Sequence, residues 1–223
     1  LSPDQSRAAV HVVAGVVIDA ANRVLIAQRP KGTHLAGGWE FPGGKLEPGE
    51  ERVAGLAREL REEIDILIGL PRPLMRVRHT YPIRDVLLDV WVVRRYRGEP
   101  RGLDGQSLRW CTQEELATAE LLPADRPIVA ALRLPERLTQ ISTAHYVVGG
   151  ADEGKLRGVC CSNATEAAGA ASAGADFLVM RGELQREQLT SLCESVPVPV
   201  FARNIPLETA WSLGASGISD ITD

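Results

Sequence analysis

No run of apolar residues in this 223-residue chain approaches the roughly 20 that a membrane-spanning helix needs, and no secretory leader opens it. A soluble, cytoplasmic protein without a membrane partner is the expectation. Cysteine is scarce. The four residues Cys111, Cys160, Cys161 and Cys193 show no metal-ligand spacing, and neighbours such as Cys160 and Cys161 rarely pair with each other, so reduced and mostly buried thiols are expected. A basic excess is missing too. The first 136 residues carry as many acidic as basic side chains, and the remainder supplies the whole net charge of −4. That balance does not suit a duplex-binding surface, and polymeric nucleic acid is not an expected partner. Position 1 holds leucine rather than methionine, which reads as a trimmed or partial chain.

What is present is ordinary globular composition, 44% hydrophobic and 24% charged, enough for one large domain or two small ones. The most informative stretch runs from Gly43 to Ile66. It opens with Gly43-Gly44, read as a glycine turn whose bare backbone can approach a phosphate or metal. Val53, Leu56, Ala57, Leu60 and Ile64 then recur at helical spacing and predict a helix over Glu50–Glu63 with one apolar face. Residues three and four apart share a face, so Glu59, Glu62 and Glu63 lie together, with Glu50 at the helix entry. Like charges so placed repel unless a cation sits between them. A hard divalent ion such as Mg²⁺, held by carboxylates and carbonyls and shared with substrate phosphates, answers that need.

These residues match the Nudix signature at Gly44, Glu50, Arg58, Glu59, Leu60, Glu62, Glu63 and Ile66. The chain thus resembles the Nudix hydrolases, with one departure: Asp65 stands where the family has glycine. That glycine closes the helix in a left-handed conformation, which aspartate tolerates better than most residues, so a small stability cost and an intact metal site are expected. Similarity to the mutator branch, which cleaves 8-oxo-dGTP to its monophosphate and pyrophosphate, runs through Ala27-Gln28-Arg29, His34, Trp39 to Lys45, Arg97 to Gln106 and Pro123 to Pro127. The resemblance implies an α/β/α sandwich with a mixed sheet. It also implies nucleotide-contacting positions at Arg29, His34, Glu40, Phe41, Pro42, Gly43, Lys45 and Asp125, with Arg84 near the phosphates. Where the branch has asparagine to read the purine edge this chain has Asp125, which when ionised only accepts hydrogen bonds. Asp104 occupies a loop position where the branch often has glutamate.

Taken singly, several of these residues have blander readings. Asp125 is suited to cap the helix that begins at Arg126, Arg29 to be a surface charge, and Trp39, Phe41 and Trp110 to be core.

In chain order, Val10–Ile18 and Arg23–Ala27 are expected as a hairpin, Trp39 to Pro42 as a short strand, and Leu74–Tyr81, Val86–Tyr96 and Leu108–Cys111 as further strands. Helices are expected over Gln113–Ala119 and Arg126–Arg133. The domain so defined covers residues 1–134, with 135–155 as a linker. From 156 onward strand alternates with helix: Leu156–Cys161, Ala164–Ala173, Ala175–Met180, Leu184–Cys193, Val198–Phe201, Leu207–Leu213 and a last strand near Ile218. This tail resembles the C-terminal half of thiamine phosphate synthase, a (β/α)₈ barrel, cut to a partial barrel over 156–223. A complete barrel needs about 200 residues or more. Where that family binds phosphate on a glycine pair this chain reads Ala202-Arg203-Asn204-Ile205, so a structural or docking role is expected for the tail.

The expected activity is Mg²⁺-dependent pyrophosphohydrolysis of a nucleoside triphosphate, with Mn²⁺ as an accepted substitute. Glu59, Glu62 and Glu63 with the Gly43 carbonyl hold the metal, and Glu50 supports a second site. Glu59 or, second, Asp104 takes the proton of the attacking water. Arg58 orients the glutamates, and Glu62 completes the catalytic set. The resemblance implies 8-oxo-dGTP as substrate and a role in nucleotide-pool sanitation, DNA repair and replication fidelity. Two alternatives stand beside it: a Nudix hydrolase of another nucleotide or nucleoside diphosphate derivative, and a nucleotide-binding or docking module without turnover. Nothing in the sequence sets the oligomeric state.

Overall fold

The computed structural model describes residues 9–30, 32–33 and 35–221. They divide into two compact units, one running through Pro71 and resuming over Arg78–Ala124, the other comprising Arg72–Val77 and everything from Asp125.

In the first unit the chain forms β1 (Val10–Val17), β2 (Val24–Gln28), β3 (Trp39–Glu40) and β4 (Gly43–Lys45), then helix α1 (Arg52–Ile64). It continues through β5 (Leu67–Ile68), β6 (Arg72–Tyr81), whose first six residues belong to the second unit, β7 (Arg84–Val93), β8 (Tyr96–Arg97), β9 (Leu108–Cys111) and α2 (Gln113–Thr118). A four-stranded sheet has the order β4-β1-β7-β6, and β3-β2-β9 and β5-β8 form two smaller sheets. The four-stranded sheet is mixed, because β1 runs antiparallel to β4 and parallel to β7.

β1 organises this unit. Its β-branched run is buried from Val13 to Val17, as expected for a strand covered on both faces. Helix α1 lays Leu56, Leu60 and Ile64 against Val13 and Val17 of β1 and Trp91 and Val93 of β7. Gly15 permits this approach, since a Cβ there would stand 2.8 Å from a Leu60 methyl. The expected β1–β2 hairpin is corrected: only the bridge Ile18–Val24 joins the two, and they then enter different sheets. β7 takes one edge of β1 along its length and β4 takes the other over Val12–Ala14, so β2 pairs with this segment only beyond Val17.

Asp65 closes α1 at φ 57° and ψ 40°, in the left-handed region, and its N–H donates to the Arg61 and Leu60 carbonyls. Aspartate therefore does what the family's glycine does. Its carboxylate also pairs with the Arg101 guanidinium.

The second unit contains α3 (Arg126–Arg133), β10 (Arg137–Leu138), β11 (Tyr146–Val148), β12 (Leu156–Cys161), α4 (Ala164–Ser172) and β13 (Phe177–Met180). It ends with α5 (Arg186–Cys193), β14 (Val200–Ala202), α6 (Leu207–Ser212) and β15 (Gly217–Ser219). Its sheet is parallel throughout, in the order β10-β15-β14-β13-β12-β11. The stretch 135–155, read as a linker, supplies the two outer strands β10 and β11.

Alternation along the strands builds two apolar layers. Leu178 and Met180 of β13 with Val200 and Ala202 of β14 pack with Ala167, Leu189, Leu192 and Ala210 from the helices. Phe177, Val179 and Phe201 face the other way with Leu138, Tyr146, and Ala130 of α3. There Phe177 meets Tyr146 and Phe201 edge-to-face, at 5.7 and 5.8 Å between ring centres. The four cysteines are free, and Cys111, Cys161 and Cys193 are buried. Burial pushes the Cys193 thiol up to about 12, so it packs as an inert apolar group.

Candidate active site

Helix α1 turns its apolar stripe to the sheet and leaves Arg58, Glu59, Glu62 and Glu63 on its other faces. The strand it faces is β4, where two glycines are needed for contact and not for a turn. Gly43 sits at φ +149°, and a Cβ there would stand 2.1 Å from the Val13 carbonyl oxygen; a Cβ on Gly44 would meet the Glu59 carboxyl at 2.3 Å. The expected glycine turn is thus a strand, paired through Val13–Gly44 and Ala14–Gly43. Its bareness is what lets the Glu59 carboxyl lie on the backbone.

Arg58 is the hub of the glutamate cluster. Its Nε and one terminal nitrogen donate to the two Glu50 oxygens at 2.9 and 2.8 Å. The other terminal nitrogen donates to Glu59 Oε1 at 2.8 Å and Glu62 Oε2 at 3.2 Å. A further bond runs to the Lys45 carbonyl at 3.1 Å. A rigid five-donor fork can pair one carboxylate bidentately and still reach others, a geometry that the single nitrogen of a lysine does not offer. Through these bonds with Arg58 first, and the Glu47 N–H second, the Glu50 carboxyl falls to about 2.

The four carboxylates expected to converge therefore do not form one ligating group. Among the described residues no set of three or more Asp, Glu, His or Cys side chains stands ready to hold a metal ion. The reason is Arg58, which draws Glu50 and the largely exposed Glu62 to itself.

Glu63 stands apart from that hub. Its Oε2 accepts the Gly43 N–H at 3.2 Å. Burial, opposed by that hydrogen bond and reinforced by the charges of Glu40, Glu59 and Asp104, lifts its carboxyl to about 7. Glu63 thus lies within electrostatic reach of Glu40, Glu59 and Asp104 beside a glycine strand, and a divalent cation would relieve that mutual repulsion. In donor chemistry the residues fit such an ion.

The loop bearing Asp104 is tied to the end of α1. Leu103 and Arg101 N–H groups donate to the Glu63 and Ile64 carbonyls at 2.9 and 3.1 Å. Gln106 donates its side-chain amide to the Glu63 carbonyl at 2.9 Å and accepts the Asp104 N–H at 2.9 Å. Gln106 was given no role by the sequence, which carries no signal that this side chain clamps the loop.

Of the other expected positions, Arg29 and Glu40 are brought together, with Arg29 Nη1 donating to Glu40 Oε2 at 2.7 Å. Burial raises the Glu40 carboxyl against the pull of Arg29. Phe41 and Pro42 are buried, Lys45 is exposed at the end of β4, and Arg84 is half-buried at the start of β7. His34 lies outside the described residues. Asp125 belongs to the second unit and is 5% exposed; it sits at the start of α3 without a side-chain capping bond, so the cap reading does not account for it.

The profile of the NUDIX domain family matches residues 13–131. An 8-oxo-dGTP diphosphatase of Escherichia coli (strain K12) is 32% identical over 124 residues, covering 56% of this chain and 96% of that protein. A protein of the same name from Proteus vulgaris is 44% identical over 90 residues, 40% of this chain and 80% of its own. A CTP pyrophosphohydrolase of E. coli (strain K12) is 36% identical over 119 residues, 53% and 88% respectively. Among solved structures, an E. coli open-reading-frame protein determined in solution superposes with a TM-score of 0.52 at 35% identity, over 59% of this chain and 93% of its own.

Proposed function

The chain belongs to the NUDIX domain family, and on that premise we propose that it is a Mg²⁺-dependent pyrophosphohydrolase that cleaves 8-oxo-dGTP to 8-oxo-dGMP and pyrophosphate. The observation that carries this reading is the placement of Glu59 against Gly44 and of Glu63 on the Gly43 N–H, two carboxylates one helical turn apart beside a bare backbone.

In this reading Glu59 and Glu63 would hold the ion with the Gly43 carbonyl, while Glu62, and Glu50 for a second site, would have to turn from Arg58, on which both sit here. The ion, when bound, polarises phosphoryl oxygens and offsets charge on the departing pyrophosphate. Arg58 is a positioning residue: it holds Glu59 Oε1 and leaves Oε2 to accept the proton of the attacking water. Asp104, on the loop clamped by Gln106, is the second group suited to that proton. Water adds to phosphorus as the phosphoanhydride bond breaks, leaving nucleoside monophosphate and pyrophosphate. Arg29, His34, Glu40, Phe41, Pro42, Lys45, Arg84 and Asp125 are assigned to nucleotide contact by resemblance. The activity places the protein in sanitation of the nucleotide pool, and the second unit is assigned a structural or docking role.

Pyrophosphate release from 8-oxo-dGTP, dGTP, dATP and CTP with Mg²⁺ tests this. A strong preference for 8-oxo-dGTP is expected; equal turnover of 8-oxo-dGTP and dGTP would reject the sanitising role. A second reading, CTP as substrate, is favoured by Asp125, which offers only acceptors where an amide also donates, and by the CTP-cleaving relative. Binding of triphosphate with no product from any of the four would favour a docking module.

A further inference from the structure

The turn after β1 and the β5–β8 ribbon enclose an open cavity of about 1010 Å³, and no candidate catalytic residue lines it. It is large enough for a small-molecule ligand. Arg94, Arg95 and Arg97 rim it, and Ile18, Leu67 and Ile68 give it an apolar wall. Two segments of the chain meet at its floor: the Gly69 N–H donates to the Arg95 carbonyl at 2.7 Å, and a Cβ on Gly69 would come 3.1 Å from the Arg95 Cβ.

The charge of this cavity is one-sided. Asp19 lies in its wall, but Arg23 takes both Asp19 oxygens, with its backbone N–H on Oδ1 and its Nε on Oδ2, each at 2.8 Å. Arg94 donates to Asn22 Oδ1 at 3.3 Å, a neutral partner. Among the described residues neither Arg95 nor Arg97 has a carboxylate within ion-pair distance, and all three arginines are exposed. Guanidinium groups stay charged at any working pH, and three of them repel one another unless an anion joins them. This local excess sits in a unit with 15 basic and 17 acidic side chains, in a chain of net charge −4.

We propose that this cavity is a second anion site, distinct from the glutamate cluster, which binds a small polyphosphate through Arg94, Arg95 and Arg97. Planar guanidinium forks bind phosphate oxygens in pairs, and three positive charges offset most of the charge of a di- or triphosphate. The anion is either free inorganic polyphosphate or the tail of a nucleotide whose base and sugar lie on Leu67 and Ile68.

Calorimetric titration of the full chain with inorganic tripolyphosphate, in chelator and without divalent cations, tests the site. Arg95→Gln with Arg97→Gln should weaken binding at least tenfold at unchanged melting temperature, while Glu59→Gln should bind like the parent. Binding within twofold of the parent in the arginine variant, or loss of binding in Glu59→Gln, overturns the proposal. Should the double variant unfold, Arg94→Gln alone is expected to weaken binding about threefold by the loss of one charge-assisted contact, and no change there is equally fatal. Repeating the titration with ATP separates the sources: tighter binding than tripolyphosphate assigns the site to a nucleotide, and equal binding assigns it to the inorganic anion.

Discussion

Helices α1 and α5 each lie on a sheet, and each buries an apolar stripe: Leu56, Leu60 and Ile64 in one, Leu189, Leu192 and Cys193 in the other. Packing alone does not tell them apart. What differs is the backbone beside them. α1 shares its surroundings with the glycine strand β4, so the Glu59 and Glu63 carboxyls reach main chain. In the second unit the sheet face turned away from α5 is filled by aromatic side chains, and a Cβ on Gly158 there would come 2.3 Å from the Phe177 ring. Glycine serves carboxyl access in the first unit and aromatic packing in the second.

This contrast can be broken from either side. Glu63→Gln keeps the shape of the site and removes a charge, so turnover should fall by about 10²- to 10⁴-fold with little change in melting temperature. Pyrophosphate release and a thermal melt on the same sample check both halves. Phe177→Ala empties the aromatic layer of the second unit and should cost about 3–5 kcal/mol in denaturant unfolding. Turnover per folded molecule should stay unchanged; a parallel loss of activity would mean that the aromatic layer also supports the glutamate site.

Gly44→Ala sharpens the comparison, since the added methyl must displace the Glu59 carboxyl. A shift of about 1 Å in a catalytic group costs on the order of 10²-fold in rate, and a rate drop of that size is expected. Normal kinetics would show that Glu59 works from another position. Asp65→Gly is the smallest change. It relieves a left-handed aspartate but loses the exposed pair with Arg101, and the two effects should leave unfolding free energy within about 1 kcal/mol of the parent.

Much of this architecture was legible in the sequence because its period is strong. The strands Leu108–Cys111 and Leu156–Cys161 and the helix Arg126–Arg133 have the bounds expected from the sequence, and α1 begins two residues late and ends one residue late. The left-handed closure at Asp65 was implied by the resemblance, since aspartate stands there in the place of the family's glycine. The β1–β2 pairing was misread because local sequence offers a turn, whereas the two edges of β1 are claimed by β4 and by β7, a strand some seventy residues further along. Strands β10 and β11 were hidden because two or three residues leave no period to read.

The order of residues by itself determined that Glu59, Glu62 and Glu63 share a helix with Arg58, because helical spacing puts them there whatever the surroundings. Only the tertiary structure decided how they are divided, with Glu50, Glu59 and Glu62 on one guanidinium and Glu63 left beside Gly43. A side chain's choice of partner depends on which strand comes within reach. That distance is set by the packing of α1 on β1, not by its own neighbours in the chain.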